Sequence, residues 1–319
     1  MPERIGSLTI YDADLKIRSN KDYRLSDDKN TTYAITTAAV SNRGEGYALF
    51  AQQVKEGKQK WRSFQLMGVV NPEDYQLYNT KITYDKSIAN LTLSIINDRP
   101  HVVGFSHHTG IDIVRRSIDV TQDLNTLKAV TFPESMAADA RSLKRASKTQ
   151  ISKTNYSIRK IFSEGDRVTV VAENSGNRCY NFPGSRNSNG VKYKERRRVR
   201  VSDDLIVASY TVDGAANWIR RIPKKQYIQE DCFPIMDMEV DKMNIHKQRH
   251  AKIFSQGTII GYRDGGVVLL FLDRKSNVDK GESNDRKSML NYRKAIPMMV
   301  TIDSEGDLQR KAGSQSYGR

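Results

Sequence analysis

Two apolar runs joined by Asp-Gly decide the fold: Asp203-Asp-Leu-Ile-Val-Ala-Ser-Tyr-Thr-Val-Asp213-Gly214-Ala-Ala-Asn-Trp218-Ile-Arg-Arg-Ile222-Pro223-Lys-Lys-Gln226. The first run is rich in β-branched and aromatic residues, which favour strands, and the second is a shorter run around Trp218. Asp-Gly readily supplies the positive φ angles of a tight hairpin turn. The sequence therefore predicts one antiparallel hairpin from Leu205 to Ile222.

Short strands separated by polar turns recur on both sides of this hairpin. Further hairpins are predicted over residues 5–17, over 258–272 with a turn at Gly265-Gly266, and over 295–310. A strand, an Asp-containing turn and a returning strand occur around Asp12, Asp213 and Asp303, at irregular spacing. Strands repeat about every ten residues, as in a sandwich, barrel or propeller. We expect an all-β, antiparallel, hairpin-rich and propeller-like fold.

Two segments depart from this pattern. Residues 134–148 are rich in Ala, Ser, Lys and Arg, which predicts a short helical or disordered insertion. Residues 174–186 are rich in Asn, Gly, Ser and Pro, which predicts a long surface loop. We expect a single large β domain over residues 1–319. The alternative is two halves, 1–131 and 154–311, joined by a linker at 132–153.

The chain is strongly basic, with 52 Lys and Arg against 37 Asp and Glu and a net charge of +15. This excess favours a polyanion partner, such as nucleic acid, lipopolysaccharide or acidic glycan. The alternative is that the positive charge only maintains solubility. No apolar run reaches the length of about 18 residues that a transmembrane helix needs. The first residues lack the apolar core of a signal peptide. The expected location is extracytoplasmic, in the periplasm or at the cell surface, if the chain is processed, and cytoplasmic or virion otherwise.

The densest positive cluster precedes the opening hairpin. We define the basic cluster as the six cations between residues 192 and 200: Lys192, Lys194, Arg196, Arg197, Arg198 and Arg200. On a strand, alternation places all of them except Arg197 on one face, over about 26 Å. Five cations in such a row can follow a phosphate or sulfate backbone, so this cluster is the candidate polyanion-binding site. The alternative is an edge strand that uses charge to prevent edge-to-edge pairing.

Other polar groups favour ordinary surface roles. His246 and His250 have the spacing of a helical zinc pair, but Lys247 stands where a zinc protease has its Glu. His107-His108 has no carboxylate pair or nucleophile motif beside it. One oxygen-rich segment lacks the spacing of a calcium loop and contains competing cations; its residues are Asp273, Asn277, Asp279, Glu282, Asn284 and Asp285.

Motifs of the common catalytic classes are missing from the sequence. It contains no P-loop, GxGxxG, GxSxG or HExxH pattern. Its two cysteines, Cys179 and Cys232, are too few for a disulfide scaffold and form no CxxC pair, and they can be bonded or reduced. We therefore expect no catalytic residue, no metal site and no cofactor.

The order of strand, Asp-Gly, Trp and Ile-Pro-Lys-x-Gln in residues 203–226 resembles a segment of large secreted β-propeller-like proteins of Bacteroidota bacteria. In those proteins a strand ending in a polar loop follows, and then a strand closing on an Asp-x-x-Gly turn. Residues 267–277 and 297–306 fit that order, and residues 9–15 and 102–106 fit the N-terminal half. The resemblance implies a propeller-like all-β fold and an extracytoplasmic location, and it implies no catalytic residue.

Three hypotheses about function follow. The first is a non-catalytic binding or scaffold protein, whose loops and basic strand contact a protein partner, an assembly or a polyanion. The second is a structural subunit of a larger cell-surface or virion assembly, which would have exposed apolar edges and large interfaces. The third is a glycan-active enzyme on a propeller scaffold, which needs carboxylates that converge in a pocket. The sequence does not indicate an oligomeric state.

Overall fold

A computed structural model of the protein describes residues 4–12, 14–26, 31–56, 59–70, 76–83, 88–106, 113–118, 124–132, 156–186, 192–231, 258–280 and 295–314. This part of the chain consists of β-strands, their turns and one short 3₁₀ helix. The chain divides into two compact units, residues 1–131 and residues 132–319.

The first unit contains three sheets. Its strands are β1 (Arg4–Tyr11), β2 (Ile17–Ser26), β3 (Thr31–Val40), β4 (Gly46–Glu56), β5 (Gln59–Val70), β6 (Gln76–Thr83), β7 (Ile88–Ile96), β8 (Arg99–Ser106), β9 (Ile113–Ser117), β10 (Leu124–Thr126) and β11 (Lys128–Val130). They form a ribbon β1-β2, a sheet β10-β6-β5-β4-β3 and a sheet β11-β9-β8-β7. Consecutive strands pair antiparallel, whereas β10 joins β6 in parallel.

The second unit contains two sheets and the 3₁₀ helix Lys275–Lys280. Its strands are β12 (Tyr156–Glu164), β13 (Arg167–Arg186), β14 (Lys192–Thr211), β15 (Ala216–Ile222), β16 (Gln226–Asp231), β17 (Ile259–Arg263), β18 (Gly266–Arg274), β19 (Ala295–Ile302) and β20 (Leu308–Ala312). The first sheet has the order β12-β13-β14-β15, and β16 also pairs with β14. The second has the order β17-β18-β19-β20. Four-stranded antiparallel sheets of consecutive strands are the building units of propellers.

Each unit has its own apolar core. In the first unit, Leu49, Leu66 and Val102 are fully buried. In the second, the core joins both sheets, because Leu205 and Val207 of β14 pack in one cluster with the alternate residues Val267, Leu269 and Phe271 of β18. This alternation of buried and less buried residues is the pattern of a strand with one face in a core.

One turn geometry recurs at four hairpins. The turns span Asp12–Lys16, Ser41–Glu45, Thr211–Ala215 and Asp303–Asp307, and in each the first N–H donates to the fifth C=O and the fourth N–H to the first C=O. The fourth residue has a positive φ, from 61° at Leu15 to 105° at Gly214. An oxygen of the first side chain accepts the fifth residue's N–H. These polar first residues fix the loop length, as in Asx and Ser/Thr turns.

These observations confirm an all-β, antiparallel, hairpin-rich and propeller-like fold, including the hairpin of residues 205–222. The details of two turns were wrong. Asp213-Gly214 lies inside a five-residue turn that begins at Thr211, and the tight two-residue turn of β17 and β18 is Asp264-Gly265, where both φ angles are positive. The long loop predicted at 174–186 is also wrong, because these residues continue β13. The insertion predicted at 134–148 lies outside the described residues.

Candidate functional site

The whole basic cluster lies on β14. From Lys194 to Ser202 this strand pairs in regular register with β13, and from Arg197 to Ser202 it also pairs with β16. The edge-strand alternative is therefore wrong from Arg197 onward, because that part of β14 has a neighbour on both sides. In the part of the chain that the structure describes, residues 192–196 pair with β13 alone.

The register with β16 brings acidic residues opposite two of the cations. Glu230 is directly opposite Arg198, and Asp231 is directly opposite Arg197. Opposite charges at directly paired positions of an antiparallel pair attract, and they reduce the net positive charge there. Lys192, Lys194 and Arg196 instead pair with Arg186, Pro183 and Asn181. These three cations at the start of β14 thus have no acidic residue directly opposite them.

A buried ion-pair network lies where β15 ends and β16 begins. Lys224 is 1% exposed and Glu173 is 2% exposed, and the two form an ion pair. The Lys224 ammonium also donates to Ser202 Oγ at 2.9 Å and to Thr258 Oγ1 at 3.0 Å. An ammonium group has three N–H donors, so all of them find acceptors here. Phe271 adds a ring face, with its centroid 5.7 Å from Lys224 Nζ.

Both oxygens of the Glu173 carboxylate have partners in this network. Ser202 Oγ donates to Oε1 at 2.7 Å, and Arg159 approaches Oε2 to 2.6 Å from a half-exposed position. Burial alone would raise the pKa of Glu173, but the Lys224 charge and the hydrogen bonds outweigh burial and hold the pKa below its ordinary value. Glu173 is therefore an ionised structural carboxylate, unlike a general acid, which needs a raised pKa.

The network explains the Ile-Pro-Lys-x-Gln order in physical terms. β15 and β16 lie along the same edge of β14, and Pro223, which has no N–H for the ladder, interrupts them. In the gap, Asp204 accepts hydrogen bonds from the Arg221 guanidinium, at 2.8 and 3.1 Å, and from the Lys224 backbone N–H. The fully buried Gln226 donates to the Leu272 carbonyl of β18 at 2.5 Å. The motif therefore connects the sheet that contains β14 to the sheet that contains β18.

Trp218 and Arg220 of β15 form a second connection between these sheets, through hydrogen bonds to the turn between β19 and β20. The Trp218 indole N–H donates to the Ser304 carbonyl at 2.9 Å, and Arg220 Nε donates to the Gly306 carbonyl at 2.6 Å. A Cβ at Gly306 would lie 2.6 Å from the Trp218 ring. Trp218 is 4% exposed, so its ring packs in the core and is not a surface stacking platform.

The hairpin turns of the second unit surround a cleft of about 530 Å³. Its lining includes Glu164, Asp166 and Asp264, with Arg167 and Ser304 beside them. Tyr262 donates from its hydroxyl to Glu164 at 3.1 Å, and Asp264 pairs with the exposed Arg263. All three carboxylates are exposed to solvent, and Glu164 and Asp264 already have protein partners, so the cleft is a solvent-exposed surface depression.

The remaining sequence candidates have ordinary surroundings or fall outside the described residues. Asp273 accepts from the Arg274 N–H and from Asn277 Nδ2, and so links the end of β18 to the 3₁₀ helix. Among the described residues no cluster of His, Cys, Asp and Glu has a metal-binding arrangement. Three candidate groups are outside the described part: His107-His108, His246 with His250, and the acidic residues of 282–285. Within the described part, no helix is long and apolar enough to cross a membrane.

Comparison with known proteins gives only distant structural likeness. No family model and no curated protein matches the sequence. Among solved structures, a Bacteroides ovatus GH43B protein of a xyloglucan utilisation locus is 8% identical, with 90% of this chain and 74% of that chain covered and a TM-score of 0.26. The WD40 domain of SCAP from fission yeast is 8% identical, with 93% and 67% covered and a TM-score of 0.25. Likeness at this level carries no argument about function.

Proposed function

We propose that the protein is a non-catalytic binding or scaffold protein, and that its basic cluster holds a polyanion by charge. The expected setting is extracytoplasmic, with a protein partner or a larger assembly. The observation that carries the proposal is the row of five alternate cations on β14, of which all but Arg198 are paired with no acidic residue. Such a row supplies attraction along a polymer without any reacting group.

The surroundings of the strand support a rigid platform. β14 continues from the basic cluster into the core of the second unit, where Leu205, Val207 and Ala208 are fully buried. The Lys224 and Asp204 networks hold the strand at the junction between these two parts. A charged row on a fixed strand loses less conformational entropy on binding than one on a flexible tail.

The experiment compares two variants of equal net charge. The first replaces Arg196, Arg197 and Arg198 with Ser, and the second replaces Lys16, Lys81 and Lys128, three exposed lysines of the first unit, with Ser. Each loses three positive charges. Retention on immobilised heparin and on immobilised DNA is measured as the salt concentration that elutes each protein. We expect the first variant to elute at clearly lower salt than the second, with a flatter salt dependence of binding.

Equal elution of the two variants would refute the proposal, because binding would then follow net charge and not this strand. Unchanged retention of the first variant relative to the original protein would refute it as well. Circular dichroism of both variants checks that the sheets are retained.

A further inference from the structure

β13 and β14 extend beyond the rest of their sheet. The last residue of β13 that pairs with β12 is Asn174, and the last residue of β14 that pairs with β16 is Arg197. Beyond these points, residues 181–186 and 192–196 form an antiparallel ribbon of two strands in the described part of the chain. From Lys192 to Arg197 this ribbon extends over about 17 Å.

The register sorts the ribbon into two faces. Directly opposite residues share a face, so Asn177, Cys179 and Asn181 share that of Arg200, Arg198 and Arg196. The other face holds Tyr180 and Phe182 together with Arg178, Arg197 and Glu195, and alternation along β14 places Tyr193 there as well. The first face, here called the cationic face, thus carries these cations with Asn177, Cys179, Asn181 and Pro183 opposite them, and it has no aromatic residue among its paired positions.

This sorting discriminates between polyanions. Proteins that hold single strands without sequence preference stack bases on aromatic side chains beside the cations, and here the aromatics are on the opposite face. The major groove of B-form DNA admits a two-stranded β-ribbon, whereas the deep, narrow major groove of A-form RNA does not. Lys and Arg bond guanine edges and phosphates there, and Asn bonds adenine edges.

We propose that the ribbon of residues 181–186 and 192–196 enters the major groove of B-form DNA with its cationic face toward the bases. This inference rests on the proposed polyanion-binding function and names the polyanion. Lys192, Lys194 and Arg196 supply the charge that enters the groove. Arg198 and Arg200, where the sheet widens to three strands with β16, are placed to meet the flanking phosphates.

The test uses fluorescence anisotropy of the full chain with a short DNA duplex, a single strand of the same sequence, and heparin as competitor. Two variants with equal loss of charge are compared: R196S on the cationic face, and R178S on the other face. Neutralisation of DNA charge by the five cations predicts a slope of about −4.5 in log K against log salt for the duplex. We expect R196S to make this slope about 0.9 shallower and R178S to leave it nearly unchanged.

Groove occupancy is measured by methylation of guanine N7, which faces the major groove. We expect bound protein to protect N7 in the duplex. Binding to heparin without binding to duplex DNA would overturn this inference and leave the polyanion function intact. Duplex binding without N7 protection, or single-strand binding at least as tight, would also overturn it. Absence of binding to every polyanion would refute both proposals. Unchanged Trp218 fluorescence in the two variants checks that the second unit is folded.

Discussion

Removal of the Lys224 charge should strongly destabilise the second unit. Lys224→Met keeps an unbranched apolar stem of similar length but leaves the Glu173 carboxylate 2% exposed without its ammonium partner. Breaking a buried ion pair in this way costs about 3–5 kcal/mol. Arg159 still approaches Glu173, but it is half exposed and offsets only part of the loss. We expect a decrease of about 3 kcal/mol in the free energy of unfolding.

A second substitution separates charge from packing. Glu173→Gln in the Lys224→Met background removes the isolated charge and keeps an amide oxygen for Ser202. Removing both charges of a buried pair is often close to neutral, so the double variant should recover most of the loss. Lys225→Met is the matched control: this neighbour is only partly buried, and we expect a change below about 0.5 kcal/mol.

The assay is urea unfolding followed by tryptophan fluorescence. The chain has two tryptophans, Trp61 in the first unit and Trp218 in the second, so a Trp61→Phe background makes Trp218 the reporter of the second unit. Equal stability of Lys224→Met and Lys225→Met would refute the assignment of Lys224 as a buried structural cation. A double variant no more stable than Lys224→Met would refute the charge argument.

Two further predictions concern a turn and a histidine. Gly306→Ala should lower the free energy of unfolding by about 2–4 kcal/mol, because Gly306 has φ +87° and a Cβ there meets the Trp218 ring. Gly165→Ala is the control: Gly165 has φ +57° but open space around it, so the decrease should be about 1–2 kcal/mol. Equal decreases in urea unfolding would contradict the ring contact. Burial, with Arg115 and Arg99, lowers the pKa of His101 to about 4 from 6.5. As the pH falls, the unfolded chain therefore binds this proton before the folded chain does. The free energy of unfolding of the first unit should decrease by about 3 kcal/mol as the pH falls from about 6.5 to 4. His101→Gln should remove that loss, measured through Trp61 in a Trp218→Phe background, and an unchanged pH profile would contradict it.

Strands were predictable where alternation and turn residues agree. Residues 205–222 and 295–310 combine β-branched runs with a polar turn, so local preference and the final sheet coincide. Residues 174–186 show the opposite case. Their Gly, Asn and Pro content favours a loop, but pairing with the strand formers of β14 extends them as β13. Tertiary pairing overrode composition there.

The site was predictable in part. The alternation of cations in residues 192–200 is visible in the sequence, but the approach of Glu230 and Asp231 requires the register of β16, which no local pattern encodes. Lys224 had no sequence signal of burial, because its partner Glu173 lies 51 residues away and Pro-Lys-Lys is typical of an exposed turn. The Thr211 turn was missed because its hydroxyl takes the role that Asp12 and Asp303 have elsewhere.

The central claim is that the N-terminal half of β14 is where the polyanion binds. Lysine acetylation with mass-spectrometric readout, with and without saturating heparin, measures this position by position. We predict that bound heparin protects Lys192 and Lys194 and leaves the exposed Lys16, Lys81 and Lys128 as reactive as before. Equal protection of all five lysines, or no protection of Lys192 and Lys194, would contradict the claim.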